Sequence, residues 1–204
     1  MISILKRYTA RLRGSDRAII ALDFRNAFNE VSRTHLLQEV FDSFPEAFNH
    51  AWVAYGTRSS LLFGEHVIES QQGTQQGDPF AMLGFALVLA KCLRQIRQHP
   101  RFVPHWLDVE SWFADDGAIG GDPEGLRVFV DLIVELGPQY GLILNKDKSA
   151  IITDSPSARA LFPDFTQVHS SDHWAVLGVP VGTSSRAAQA WAESIIEAGK
   201  RKME

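Results

Sequence analysis

Apolar and polar positions along the chain alternate between two periods, and the periods mark out its elements. AIIALDF (18–24) is apolar, rich in Ile and without a helical stripe, which predicts a buried strand ending at Asp23 and Phe24. After Asn29, SRTHLLQEVFDSF predicts a helix, with Ser32 as N-cap and Leu36, Leu37, Val40, Phe41 and Phe44 on one face. Pro45 ends that helix and opens another, PEAFNHAWVAY, because a proline ring suits a first helical turn. SSLLFGEHVIES predicts a hairpin of two short strands about Gly64 and Glu65. The polar loop QQGTQQGDP follows, and Pro79 starts a long helix whose stripe is Met82, Phe85, Ala86, Leu89 and Leu93. HWLDVESWF predicts a strand, and ADDGAIGG carries turn residues for a hairpin with Asp115 and Asp116 near its tip.

In DPEGLRVFVDLIVELGPQYG, Asp122 caps a helix, Pro123 sits in its first turn, and Phe129, Leu132, Ile133 and Leu136 form its stripe. LILNKDKSAIITD gives a turn and a strand, HWAVLGVPVG a hairpin, and SRAAQAWAESIIEAGKRK a closing helix. The order contains a βαββαβ pattern. It predicts an α+β fold, an antiparallel sheet of ferredoxin-like type with helices on one face. No repeat, low-complexity tract or long linker interrupts it.

Composition narrows the class. The 204 residues fit one domain or one and a half, and 45% hydrophobic residues are enough for a sizeable core. A single cysteine, Cys92, excludes an internal disulfide framework and points to a reducing compartment. With one cysteine and no CxxH spacing, a Cys-rich zinc module is excluded and no zinc site is expected. The longest apolar run, around Phe80 to Ala90, falls short of a membrane span and reads as a buried helix. MISILKRYTARLRG lacks the apolar core of a signal peptide and reads as a basic amphipathic helix, with a mitochondrial-type presequence as the alternative. An intracellular protein, nuclear or cytoplasmic, is therefore expected, neither secreted nor bound to a membrane. The formal net charge is −4, whereas a complete nucleic-acid enzyme is usually basic. Basic residues gather at the two ends, Lys6, Arg7, Arg11, Arg13 and Arg17 at one and Lys200, Arg201 and Lys202 at the other.

The acids carry the candidate chemistry. Asp115 and Asp116 stand among apolar residues, where ionised carboxylates need compensation. An Asp-Asp pair by itself is common in solvated turns. Asp23, at the end of a buried strand, is a third acid, and a sheet that set this strand beside the acidic hairpin would bring Asp23 and Asp115 to face each other. Three carboxylates in one place repel unless a cation joins them. Mg2+ takes oxygen ligands and keeps positions for substrate phosphates, and two such ions about 4 Å apart can activate a hydroxyl and stabilise a leaving pyrophosphate.

ALDFRNAFNEVSR, GTQQGDPFAMLGFAL, WFADDG, GLILNKDKS and VLGVPVG occur in that order over roughly residues 18 to 182. In order and spacing they resemble the palm of a reverse transcriptase, most similar to the non-LTR (LINE-type) retrotransposon enzymes. The resemblance implies RNA-directed DNA polymerase chemistry, in which a primer 3′-hydroxyl attacks a dNTP on an RNA template. It implies two Mg2+ ions, with Mn2+ as a substitute, held by Asp23, Asp115 and the carbonyl of Phe24, with Asp116 as a supporting acid. Phe28 stands at the steric-gate position that disfavours a ribose 2′-hydroxyl. The backbone amides of Arg25, Asn26 and Ala27 lie where triphosphate oxygens are held. Gln76 and Gly77 would flank the nascent base pair, Gly77 allowing close backbone approach. Lys148 would neutralise or protonate the leaving pyrophosphate, with an ordinary surface lysine as the alternative. Leu177 and Gly178 fall in the hairpin known as the primer grip.

The same comparison divides the chain into 1–17, a basic segment at the edge of the fingers; 18–182, the palm with a partial fingers insertion; and 183–204, the start of a thumb. Only 22 residues precede Asp23, so the fingers, thumb and endonuclease parts are expected on a longer polyprotein, and the chain by itself is expected to show little or no activity. The competing readings are a non-catalytic palm that binds nucleic acid or acts as a scaffold and, more remotely, a metal-dependent phosphohydrolase using the same acids.

Overall fold

A computed structural model describes residues 1–75, 77–172, 174–176, 179–181, 189, 192 and 193. Helix α1 (Ile2–Thr9) precedes strand β1 (Ala18–Leu22), and α2 (Ala27–Glu30), α3 (Arg33–Ser43) and, after a 3-10 turn, α4 (Phe48–Tyr55) follow. Strands β2 (Ser59–Phe63) and β3 (His66–Ser70) lead to the long α5 (Pro79–Gln98), then β4 (Leu107–Phe113), β5 (Asp116–Gly121) and α6 (Pro123–Leu136). The chain continues through β6 (Ala150–Ile152), α7 (Pro156–Ala160), β7 (Thr166–Val168), β8 (Ala175–Val176) and β9 (Val179–Pro180). It divides into two compact units: Met1–Asp23, Pro104–Arg127 and the described residues from Lys146 onward, and then Phe24–Val103 with Val128–Asn145.

The first unit is built on a sheet in the order β4-β5-β1-β6-β7. The four strands of the βαββαβ pattern lie in the spatial order second, third, first, fourth, all antiparallel, which is the ferredoxin-like arrangement. A further edge strand outside this pattern, β7, pairs in parallel with β6. The turn after β6 carries a short helix, α7, opened by Ser155 and Pro156, and such a crossover returns the chain in the same direction. Ile19 and Ile20 in β1 are both fully buried, so the unbroken apolar run is a central strand covered on both faces.

Leu5, Tyr8 and Leu12 of the N-terminal segment pack with Ile19, Ala118, Ile152 and Trp174 in one core cluster. Each fully buried Leu or Ile contributes about 1.5–3 kcal/mol. The basic residues of α1 therefore lie opposite a face that belongs to the sheet's core. The Tyr8 hydroxyl also donates to Asp108 Oδ2 of β4 at 2.6 Å, and Arg17 lies 3.6 Å from the same carboxylate. Strands β8 and β9 form the expected hairpin, Val176 opposite Val179.

In the second unit, α3 begins where Ser32 accepts a hydrogen bond from the His35 N–H. Its buried positions are Arg33, Leu36, Glu39 and Val40, while Phe41 and Phe44, expected on the inner face, are exposed. The inward stripe is rotated because Glu39 goes inside, bonded to Lys91 and Arg94 of α5. Helix α5 starts as expected at Asp78 and Pro79. Its core face is Phe85, Val88, Leu89, Cys92, Leu93 and Ile96, with Met82 and Ala86 turned outward.

At 20 residues and a mean hydropathy of 1.4, α5 is long and apolar enough to cross a membrane by length and composition, contrary to the expectation that no run reaches this. Its buried face belongs to the core of the second unit. The expected closing helix over 183–204, the loop residue Gln76 and the hairpin residues Leu177 and Gly178 lie outside the described residues.

Candidate active site

The acidic hairpin closes tightly. Strands β4 and β5 pair as far as Phe113 opposite Asp116, so Ala114 and Asp115 form a two-residue turn. Ala114 has φ 53°, a left-handed conformation that costs an L-residue roughly 1–2 kcal/mol and that two-residue turns require in order to match strand twist. Gly117 lies opposite Trp112, and a Cβ there would run into the indole ring. The glycine after the acid pair is thus needed for the ring to lie flat across β5. The Trp112 Nε1–H donates to Glu110 Oε1 at 2.8 Å on the same strand.

Strand β1 flanks β5, with Leu22 level with Gly117. The same register carried one residue further sets Asp23 level with Asp116, and residues level across an antiparallel pair share a face. Asp115 stands next to them on the turn. The ladder itself ends at Leu22 opposite Gly117, and its extension brings Asp23 level with Asp116, the neighbour of the expected Asp115. On the other flank, β1 pairs with β6 as far as Ala21 opposite Ala150. Continued two residues, that row reaches Lys148, which is exposed in the turn before β6. Past the end of this ladder the Asp23 N–H donates to Ser149 Oγ at 3.2 Å. No sequence pattern singled out Ser149; its position after Lys148 was the only available sign.

The electrostatics match a cation. Asp23 Oδ2 is buried and has no hydrogen-bond partner among the described residues. The Asp116 carboxyl is raised above its usual 3.8, first by burial and then by the charges of Asp115 and Asp23. Among the described residues, no three His, Cys, Asp or Glu side chains are gathered into a metal cage. The raised Asp116 carboxyl and the unpartnered Asp23 oxygen are the features that a bound cation would relieve. A hard divalent ion fits the donors present: carboxylate oxygens with unrelieved mutual repulsion and one buried oxygen lacking a partner.

The residues after Asp23 open the second unit. Phe24 is buried and forms an isolated antiparallel bridge with Leu144. The Arg25 N–H, expected among amides facing a triphosphate, is instead donated to Ile143 O at 2.8 Å, so that role narrows to Asn26 and Ala27. Asn26 is left-handed at φ 45°, and its side chain and the Arg25 guanidinium both bond Glu30. Phe28 is half-buried, its ring 4.8 Å from that of Phe85, and Thr74 N–H donates to its carbonyl at 2.6 Å. Phe28 therefore has an aromatic neighbour fixing the ring while part of it stays open. Gly77 has φ +90°, and nothing lies within 4 Å of where a Cβ would sit. Its glycine is required by backbone conformation, and the space in front of it is open. Asp78 Oδ1 caps α5 from the Phe80 N–H at 2.8 Å, and the Tyr55 hydroxyl donates to its other oxygen.

This chain belongs to the reverse transcriptase (RNA-dependent DNA polymerase) family, which it matches over residues 2–181. Over 147 residues it is 25% identical to the retrotransposable element SLACS 132 kDa protein of Trypanosoma brucei gambiense, covering 66% of this chain and 12% of that protein. Among solved structures, apo telomerase from Candida tropicalis is similar with a TM-score of 0.58 at 12% identity, over 88% of this chain and 34% of that one. Telomerase from Candida albicans in complex with a TWJ fragment of telomeric RNA has a TM-score of 0.51 at 11% identity, over 89% and 32%. These likenesses establish the fold, a polymerase palm. The chain spans about one eighth of the curated relative's length.

Proposed function

We propose that the chain is the palm of a retrotransposon reverse transcriptase, which transfers a nucleotide from a dNTP to a primer 3′-hydroxyl on an RNA template. The observation that carries this reading is the row of acids: Asp23 level with Asp116, and Asp115 on the adjoining turn, in a chain of this family. Asp23 and Asp115, with the Phe24 carbonyl, would hold the divalent ions, and Asp116 would add negative charge beside them. Mg2+, or Mn2+ in its place, supplies Lewis-acid activation of the primer hydroxyl and charge neutralisation at the departing pyrophosphate. Lys148 neutralises or protonates that pyrophosphate. The Phe28 ring excludes a ribose 2′-hydroxyl, the Asn26 and Ala27 amides hold triphosphate oxygens, and Gln76 and Gly77 flank the new base pair. Leu177 and Gly178 seat the primer end.

The test is Mg2+-dependent dNTP incorporation on a primed RNA template, measured with the chain alone and with the chain set between the fingers and thumb of a related enzyme. Incorporation in the complete setting is expected to fall about 100-fold or more in Asp115→Asn, since metal-borne charge stabilisation is worth several kcal/mol. An undiminished rate in that variant refutes the assignment. Phosphate release from small esters without primer or template would favour a phosphohydrolase instead.

A further inference from the structure

We infer that Ser149 is a positioning residue for the metal-binding acid Asp23, an inference that rests on the polymerase reading of the acids. Strand β1 leaves its ladder with β6 at Ala21, two residues before Asp23. From there the backbone of Asp23 needs another partner to hold it, and the Ser149 hydroxyl takes its N–H at 3.2 Å. Ser149 is fully buried, so this hydroxyl does not exchange its partner for water. Its own backbone is tied on both sides: its N–H donates to Lys146 O at 3.2 Å and its carbonyl accepts from the Thr166 N–H at 3.0 Å. A rigid acceptor therefore fixes the Cα from which the Asp23 carboxylate projects, and that carboxylate carries the buried oxygen without a partner.

Ser149 also follows Lys148 directly. One residue thus pins both the first acid and the base of the lysine turn. A carboxylate that must meet a metal within a few tenths of an ångström depends on such a support, and removing one partner of this kind typically costs 10–100-fold in metal affinity.

The test measures Mn2+ binding to the whole chain by electron paramagnetic resonance, without nucleic acid, together with the thermal midpoint. Ser149→Ala is expected to weaken Mn2+ binding about 10-fold, and Ser149→Thr, which keeps the hydroxyl, to restore it. Thr153→Val serves as the structural control. Thr153 is equally buried, and its hydroxyl donates to Arg17 O at 2.9 Å in the same unit, remote from the acids in sequence. It is expected to lower the midpoint and leave the affinity unchanged. Should Ser149→Ala not fold, Ser149→Cys replaces it, being near in size and a weak acceptor. Wild-type affinity in the Ala or Cys variant, or an equal loss in Thr153→Val, overturns the inference while leaving the polymerase reading intact. Absence of saturable Mn2+ binding by the wild-type chain, both without and with a dNTP present, overturns the two together.

Discussion

Asp116 is the residue at which the conflict among the acids is registered. Burial and the neighbouring charges of Asp115 and Asp23 favour its neutral form in the folded state, which raises its proton affinity. A carboxyl with a raised folded value stabilises the fold fully below its unfolded value of 3.8, and that contribution is lost as pH rises through the folded value. At neutral pH the ionised Asp116 therefore destabilises the molecule. Asp116→Asn is expected to unfold at a higher temperature than wild type at pH 7, with the gap closing as pH falls towards 3.8. Thermal melts across pH check this, and a gap that is constant with pH rejects it. Mg2+ at millimolar concentration should narrow the gap at pH 7, because a bound cation relieves the same repulsion. The acid pair was visible in the sequence as a pair. Which of the two comes level with Asp23 was not, because register across a sheet depends on where the turn closes, and Ala114 closes it by accepting a left-handed φ.

At the scale of elements, the contact between α3 and α5 turns on Glu39. Its side chain is 4% exposed, with Lys91 Nζ at 2.6 Å and Arg94 on its other oxygen. Burial by itself would raise the Glu39 carboxyl, but the hydrogen bonds and charges of Lys91 and Arg94 outweigh it and hold it below the usual 4.5. Such a group stabilises the fold above its unfolded value, and the contribution is lost as pH falls through the lower folded one. Glu39→Ala is expected to cost about 2 kcal/mol, less than the 3–5 kcal/mol of breaking a fully buried pair, because Lys91 and Arg94 are partly exposed and can turn to water. Denaturant titration at pH 7 measures it; a change under about 0.5 kcal/mol, the range of ordinary surface substitutions, would show the pair to be incidental. Helical periodicity located α3 and its cap, and it placed Phe41 inside because Phe is apolar. The ion pair with α5 reverses that choice, and pairing between elements far apart in sequence leaves no mark on local periodicity.

For the whole molecule, charge sets the expectation. The chain carries 20 Lys and Arg against 24 Asp and Glu. Neutralising phosphates releases counterions and drives nucleic-acid binding, so a chain with this balance gains little from that term. Its affinity for a primed RNA template is expected to lie in the range of about 10⁻⁴ to 10⁻⁶ M at physiological salt. Fluorescence anisotropy against salt concentration tests this, and nanomolar binding by the chain alone would contradict it. The family match across residues 2–181 includes α1, so the N-terminal helix that reads as a basic segment falls within the matched region.

The sequence alone determined the order of elements, the α+β class with its βαββαβ core, and the family, because local periodicity, caps and turn residues act over a few positions and the five motifs keep their order along the chain. Tertiary structure alone decided the parallel edge strand β7, the register that brings Asp23 level with Asp116, the donation of the Arg25 amide to Ile143, and the hold of Ser149 on Asp23. Each of these joins residues distant in the chain through a hydrogen bond or a register, and register is set by the closure of turns and the packing of side chains in three dimensions.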